Sequence, residues 1–82
     1  MMDRYASLKE FIDDLGLVGE IEFAYEGKMY SIAYPDRTVS VVEYGKPETE
    51  QVFTSPEEFV EKFEIDGKPF GKIVTEIDVL LH

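Results

Sequence analysis

Carboxylates are the reactive groups that this sequence supplies in quantity. Aspartate and glutamate account for 18 of the 82 residues, whereas the chain has no cysteine and one histidine, His82, at its last position. General acid–base catalysis needs carboxyl groups within reach of the same proton. The adjacent pairs Asp13-Asp14 and Glu57-Glu58 do not meet this condition, because neighbouring residues on a helix point about 100° apart. We therefore expect that the protein is not an enzyme.

The signatures of metal and nucleotide sites do not occur in the sequence. Zinc sites need several cysteine or histidine ligands, and a nucleophile triad needs a base that a terminal histidine is poorly placed to provide. Asp66-Gly67-Lys68-Pro69 fails as a calcium loop, because glycine is second and lysine third in a motif that needs alternating oxygen ligands. No GxGxxG or GxxxxGK[ST] segment occurs. The sequence thus predicts no catalytic residue, no metal and no cofactor.

The charge balance is the most unusual property of the chain. Eight basic residues stand against 18 acidic ones, which gives a net charge of −10. Such a protein repels nucleic acid and anionic membranes and attracts a basic protein surface. A high negative charge also keeps a protein in solution, so a purely solubilising role is the alternative interpretation.

Apolar and acidic residues alternate along residues 20–26, which is the pattern of a half-buried strand. The apolar residues are predicted to face the core. The acids predicted on the other face are Glu20, Glu22 and Glu26. Successive side chains of such a row stand about 7 Å apart, similar to the spacing of phosphates along a nucleic-acid strand. We predict that this row binds lysine and arginine side chains of a partner.

Acids elsewhere extend the predicted partner-binding set. They are Glu43 beside the third turn and Glu57, Glu58 and Glu61 on a short predicted helix. The first two helix acids also suit a helix N-terminus, which favours negative charge. The strand acids therefore have a structural alternative as polar residues of an outward face, and the helix acids have one as stabilisers of the helix. Tyrosines on or beside the sheet are predicted mostly at the core edge, and one bordered by acids would add a binding hot spot.

A helix is predicted at the N-terminus. Apolar residues recur at helical spacing from Leu8 to Leu15. Asp3 is the predicted cap, and Gly16 is predicted just past the end.

Three strands and a shorter fourth follow in the prediction. Alternation, β-branched residues and turn residues indicate strands at residues 20–26, 28–34 and 38–44, and a short edge strand at Gln51-Val52-Phe53.

Two helices are predicted after the strands. Ser55-Pro56-Glu57-Glu58 has the capping-box spacing of a helix start. A last helix is predicted to open at Pro69, because Phe70 to Ile77 repeats the apolar spacing of a helix. The apolar tail Val79-Leu80-Leu81 is expected to dock on the core.

These elements predict one α+β domain spanning residues 1–82, in the order α-β-β-β-(β)-α-α. An antiparallel meander of three to four strands would be covered on one face by the N-terminal and the two C-terminal helices. No apolar run reaches the ~18 residues of a membrane span, and residues 1–10 lack the apolar segment of a secretory signal. We therefore expect a cytoplasmic protein.

In size, negative charge and element order, the whole chain resembles phage-encoded anti-CRISPR proteins that mimic DNA and block the site where a CRISPR nuclease reads its target. The resemblance lies in topology and charge and carries over no site residue. The strand acid row and the segment Ile65-Asp66-Gly67-Lys68 are also similar to small uncharacterised proteins of Gram-positive bacteria. The resemblance implies an acidic inhibitor that occupies a basic nucleic-acid-binding site of a partner protein.

Two other functions fit the same residues. An immunity or antitoxin protein that neutralises a toxin would use the same acidic surface. A small structural or regulatory interaction subunit would need the charge only to stay in solution.

Overall fold

The computed structural model describes residues 4–81 and contains an N-terminal helix, an antiparallel sheet and C-terminal helices. This is the α+β class that the sequence predicts. Asp3 and His82 lie outside the described residues. In chain order, the elements are α1 (Leu8–Val18), β1 (Glu20–Tyr25), β2 (Lys28–Ala33), a 3-10 turn (Pro35–Arg37), β3 (Val39–Glu43), β4 (Lys46–Phe53), α2 (Pro56–Lys62), β5 (Glu64–Ile65), β6 (Lys68–Pro69), α3 (Phe70–Ile73) and β7 (Asp78–Leu81).

Five of the strands form one antiparallel sheet in the order β4-β3-β2-β1-β7. The first four follow one another in the chain and make the predicted meander, whereas β7 returns from the C-terminal end to pair with β1. The short strands β5 and β6 form a separate hairpin. Among residues 4–81, β4 and β7 each leave one edge without a strand partner.

A two-residue turn, Glu26-Gly27, joins β1 to β2 and fixes their register. Both residues have positive φ angles, 52° and 79°, which is the backbone that matches the twist of a hairpin. Tyr25 pairs with Lys28 across the turn, and the pairing continues without a shift to the far end of both strands. A slip of one residue would turn the core side chains of β1 outward, so this turn decides which residues face solvent.

The helices cover one face of the sheet, and Phe70 of α3 lies at the centre of this layer. Its ring centroid lies 4.9 Å from that of Phe11 in α1 and 4.8 Å from that of Phe59 in α2. It also lies 5.5 Å from the ring of Phe23 in β1, which ties the helices to the sheet. All four rings are fully buried. We call this side of the sheet the inner face and the opposite side the outer face.

Gly71 permits a close approach between α3 and α2. A β-carbon at this position would lie 3.1 Å from the backbone oxygen of Val60, closer than the optimal separation of nonbonded heavy atoms. Glycine has low helix propensity, but here it allows the neighbouring Phe70 to pack against Phe59.

The first helix differs from the prediction at both ends. Its N-cap is Ser7, whose hydroxyl accepts a hydrogen bond from the backbone of Glu10 at 3.2 Å. The prediction that it ends at Gly16 is wrong, because the helix continues to Val18. It ends at Gly19, which has a φ of 75° and donates a backbone hydrogen bond to the oxygen of Leu15.

The prediction of a long last helix is also wrong. Helix α3 has a single turn, Phe70–Ile73, and the chain then bends into β7. The apolar tail does dock, but as a strand: Val79 is buried and pairs with Phe23 of β1. A free strand edge needs hydrogen-bond partners, and β7 supplies them to β1. The sheet therefore has five strands rather than three or four.

Strand β4 is also longer than predicted. It spans Lys46–Phe53 and includes the turn residues after Gly45 that the sequence analysis left outside the strand. The short predicted segment is its C-terminal end, where the buried Phe53 pairs with Val39.

Candidate acidic binding face

Glu20 and Glu22, which we call the β1 acid row, stand on the outer face of the sheet. Ile21, Phe23 and Tyr25 are buried on the inner face, so the glutamates between them point the other way. Glu20 is exposed and Glu22 is half-buried. The alternation predicted for this strand is confirmed at these positions.

Small side chains surround the acid row on the neighbouring strand. Glu22 is directly opposite Ser31, and Glu20 is opposite Ala33. The one large apolar residue of β2 on this face is Met29, which is 43% exposed. Among residues 4–81, the helices contact the sheet through the inner-face core. On the other neighbouring strand, β7, Glu22 is opposite Leu81, which is 50% exposed. The two glutamates therefore stand between small side chains on β2 and an exposed leucine on β7.

A second acid lies at the other side of the same face, on the edge strand β4. The hydroxyl of Ser40 donates a hydrogen bond to Glu50 at 2.6 Å, and Ser40 alternates with the buried Val39 and Val41. Glu50 therefore belongs to the outer face. Since neighbouring strands lie about 4.8 Å apart, roughly 14 Å separates the backbone of β4 from that of β1.

The acid row has no basic partner within residues 4–81. The ion pairs of this part of the chain are Arg4–Asp78, Lys9–Asp13, Lys28–Asp66, Lys46–Glu43 and Lys62–Glu58. None of them includes Glu20, Glu22 or Glu26. Their negative charge is therefore left to interact with solvent and with whatever approaches the face.

Glu26 does not continue the row as the sequence analysis expected. Strand β1 ends at Tyr25, and Glu26 is the first residue of the left-handed turn. The regular row on the strand is therefore two acids long. Glu26 is exposed at the tip of the hairpin, beyond the end of that row.

Glu43 is not on the outer face. It pairs with Tyr30 across the sheet, and Tyr30 belongs to the inner face. Its carboxylate lies 3.3 Å from the ammonium group of Lys46, and its side chain is only 20% exposed. The structure thus separates Glu43 from the β1 acid row, and the pairing with lysine explains its position.

The acids of α2 lie in the helical layer, on the opposite side of the molecule from the β1 acid row. Glu57, Glu58 and Glu61 form what we call the α2 acid cluster. Glu57 and Glu61 are exposed and take part in no ion pair within residues 4–81. The predicted partner-binding acids are therefore divided between two sides of the molecule, and a flat partner cannot contact both at once.

Glu58 has a structural function in this cluster. Its backbone N–H donates to the hydroxyl of Ser55 at 3.1 Å, and its carboxylate accepts from the backbone of Thr54 at 2.9 Å. Lys62 lies 3.6 Å away, one turn along the helix. The hydrogen bond from Thr54 is the main cause of the lowered pKa of Glu58. The capping box predicted from the sequence is confirmed.

The same capping arrangement occurs at α1, where the sequence analysis did not identify it. Glu10 accepts from the backbone of Ala6 at 3.1 Å, and Ser7 is the N-cap. The spacing Ser7-x-x-Glu10 is the signal that would have placed this helix start.

A cleft of about 200 Å³ opens on the inner side of the β3–β4 edge. Its lining residues come from β2, β3, β4 and the chain around β5. They include Tyr30, Val41, Glu43, Thr49, Gln51, Phe63 and Glu64. No local motif joins these segments, so sequence reasoning placed Tyr30 only at a core edge and Gln51 in a short edge strand, and it did not bring Tyr30, Gln51 and Glu64 together as one site.

Neither of two other kinds of site occurs in the described part of the chain. No cluster of three or more histidine, cysteine, aspartate or glutamate side chains between residues 4 and 81 is arranged to hold a metal ion. No helix within the same residues combines the length and the hydropathy that a membrane span requires. Comparison of the chain with protein-family models, with curated proteins and with solved structures gave no match.

Proposed function

We propose that this protein is an acidic inhibitor that uses the outer face of its sheet to occupy a basic nucleic-acid-binding site of a partner protein. The observation that carries the proposal is the β1 acid row. Glu20 and Glu22 stand on an open sheet face without an ion pair or a side-chain hydrogen bond within residues 4–81.

The fold requires polar side chains on an outward face, but it does not require that these two be acids. Glutamate is depleted in strands, and two carboxylates on the same face repel each other. Where glutamates stabilise this fold, as Glu10 and Glu58 do at helix starts, they make specific hydrogen bonds. A pair of acids that contributes nothing of this kind is better explained by binding.

The layout of the face suits a nucleic-acid-binding surface. Residues two apart on a strand are about 7 Å apart, and roughly 14 Å separates the backbone of β1 from that of β4, the strand that carries Glu50. The major groove of DNA is about 12 Å wide between its phosphate borders. A basic site shaped to hold phosphates on both sides of a groove would therefore meet carboxylates at similar separations.

The net charge of −10 supports the same function. A strong field of one sign accelerates association with a surface of the opposite sign, and salt weakens the effect. A DNA-mimic inhibitor of the anti-CRISPR type is the concrete case that we favour. An immunity protein would bind a basic toxin by the same face, and the identity of the partner separates these two.

The apolar residues of the outer face favour one other candidate function, a structural or regulatory interaction subunit. Met29 and Val52 are 43% and 64% exposed on this face. In that function the contact would depend on apolar area rather than charge, and its affinity would change little with salt.

The test uses the immobilised protein to capture partners from a bacterial lysate at low salt, followed by elution with rising salt. Two baits with the same change of charge are compared with the wild type: Glu20→Lys with Glu22→Lys, and Glu57→Lys with Glu61→Lys. The captured proteins are identified, purified and tested for nucleic-acid binding in the presence of the wild-type protein.

The proposal expects a nucleic-acid-binding protein that elutes with salt, is lost with the β1 double variant and is retained by the α2 double variant. It also expects the wild-type protein to displace nucleic acid from that partner. Capture that is equal for all three baits, or a partner that binds both the protein and nucleic acid at the same time, would overturn it.

A further inference from the structure

We infer that the cleft under the β3–β4 edge receives the guanidinium group of an arginine side chain from the basic partner. The inference rests on the proposed function, since the partner is the one that occupies the outer face. The cleft opens beside β4, which is an edge strand of the sheet. A partner on the outer face can therefore reach it around that edge.

The size of the cleft suits one long side chain. Its volume of about 200 Å³ corresponds to six or seven water molecules at about 30 Å³ each. The walls are partly aromatic, because Tyr30 and Phe63 meet edge to face with their ring centroids 5.9 Å apart. Aromatic and aliphatic walls accommodate the carbon stem of an arginine, and aromatic faces attract its cationic end.

The polar groups of the lining accept hydrogen bonds from a cation. Glu43 and Glu64 bring two carboxylates to the cleft, and no lysine or arginine belongs to its lining. Glu64 is exposed and takes part in no ion pair within residues 4–81. Glu43 already forms an ion pair with Lys46. The side chain of Lys46 is 59% exposed, so it can turn into solvent when a second cation binds Glu43.

Tyr30 adds an available hydroxyl to the lining of the cleft. The residue is only 9% exposed, with its ring stacked on Phe23 at 5.1 Å. Its hydroxyl has no hydrogen-bond partner within residues 4–81, although Tyr30 lines the cleft. Tyr5, which is also buried, instead donates to Asp14 at 2.6 Å. No buried side-chain nitrogen or oxygen atom among residues 4–81 lacks a hydrogen-bond partner, so the Tyr30 hydroxyl is open to solvent at the cleft and is available to accept a hydrogen bond from a ligand.

The state of the Tyr30 hydroxyl is compatible with this role. Burial is the main cause of its raised pKa, while Lys28 lowers the pKa and the carboxylates of Glu43 and Asp66 raise it. The phenol therefore stays neutral at physiological pH and can accept a hydrogen bond from a guanidinium N–H. Four acceptors then surround the cation: two carboxylates, the Gln51 amide oxygen and the phenol.

Arginine fits this arrangement better than lysine. A guanidinium group is planar, carries five N–H donors in fixed directions and stacks on aromatic rings, whereas an ammonium group is a compact and strongly hydrated point charge. Acceptors that come from three strands and from the chain after α2 surround the cleft, so a group with donors in several directions satisfies more of them at once.

The first experiment titrates N-acetyl-L-arginine amide, whose only charge is the guanidinium, into the full chain and follows backbone and side-chain signals by NMR. We expect saturable shifts at Tyr30, Gln51 and Glu64 with a millimolar dissociation constant. Glu64→Gln should weaken binding roughly fivefold, as expected for a partly exposed charged hydrogen bond. Tyr30→Phe should weaken it about threefold without lowering stability, since the hydroxyl has no protein partner to lose.

Glu76→Gln is the matched control. It removes the same charge from an exposed residue that lies outside the cleft and outside the outer face, and it should leave the titration unchanged. The lysine analogue should bind more weakly than the arginine compound. Absence of saturable shifts, or equal weakening by Glu64→Gln and Glu76→Gln, would overturn the inference.

The second experiment measures the affinity of the captured partner. Glu64→Gln should weaken it severalfold, and Glu76→Gln should leave it unchanged. If the arginine compound binds but the partner is insensitive to Glu64→Gln, the occupant of the cleft is not a partner arginine and the inference fails. The proposed function would survive that result, because it depends on the Glu20/Glu22 double variant.

Discussion

The β1 acid row and the α2 acid cluster contain the same residue type in very different settings. In α2, Glu58 completes a capping box and pairs with Lys62, and Glu57 lies in the first turn, where the helix dipole favours an anion. In β1, Glu20 and Glu22 have no such partner within residues 4–81. Local interactions therefore account for the positions of Glu57 and Glu58 in α2, whereas no such interaction involves Glu20 or Glu22 in β1.

This difference shows why a count of acidic residues is a poor guide to a binding surface. Acids that fold the chain are already engaged with backbone N–H groups or lysines, so a partner must compete for them. Acids that fold nothing keep their full charge for a partner. Under the proposed function, the orientation that a strand imposes on its side chains, rather than the density of charge, makes the β1 acid row the binding surface.

The largest expected effect concerns the core that joins the two surfaces. Phe59 anchors α2 and is fully buried among aromatic rings. Phe59→Ala should lower the free energy of unfolding by about 3–5 kcal/mol, because it removes a buried ring and leaves a cavity. Val52→Ala, on the exposed outer face, is the control and should change it by less than about 0.5 kcal/mol. Urea denaturation measures both, and similar losses would contradict the division into an inner and an outer face.

A matched pair of serines tests the helix-capping part of the comparison. Ser55→Ala removes the hydroxyl that accepts from the backbone of Glu58 and should lower the free energy of unfolding by about 1 kcal/mol. Ser31→Ala removes a hydroxyl on the outer face beside Glu22, where it has no hydrogen bond within residues 4–81, and should have little effect. The midpoints of thermal unfolding compare the two. A loss at Ser31 as large as that at Ser55 would show that the outer face supports the fold.

The smallest expected effect is a pH dependence of the α2 acid cluster. The pKa of Glu58 is lowered from its ordinary value of 4.5, chiefly by the hydrogen bond from Thr54. A carboxyl group whose pKa is lower in the folded state contributes stability above its unfolded pKa and loses it as the pH falls through the folded pKa. The wild type should therefore be more stable than Glu58→Gln near neutral pH, and the difference should shrink below pH 4.5. If the stability difference between the wild type and Glu58→Gln stays constant through the acid range, the charged form of Glu58 does not stabilise the fold.

Local signals in the sequence predicted the elements that depend on local chemistry. The alternation of β1 and the Ser55 capping box each depend on a few consecutive residues, and the structure contains both. The position of Glu26 was wrong because the turn takes its first residue from the end of the alternating segment.

The features that depend on distant partners could not be predicted in the same way. The spacing from Phe70 to Ile77 is helical, yet helix α3 stops at Ile73. The edge of β1, more than 50 residues earlier in the chain, pairs with the residues that follow, and no periodicity within the tail encodes that pairing. The cleft has the same origin, since it exists only where strands and the end of α2 meet.

The most direct test of the outer sheet face as the binding surface is calorimetry at fixed salt. It measures the affinity of a purified basic partner for the β1 and the α2 double variants. Both variants change the net charge by the same amount, so a difference between them reports position alone. We predict that the double variant Glu20→Lys/Glu22→Lys binds the partner at least roughly tenfold more weakly than the double variant Glu57→Lys/Glu61→Lys. Equal affinities, or a larger loss for the α2 variant, would contradict the assignment of the outer sheet face as the binding surface.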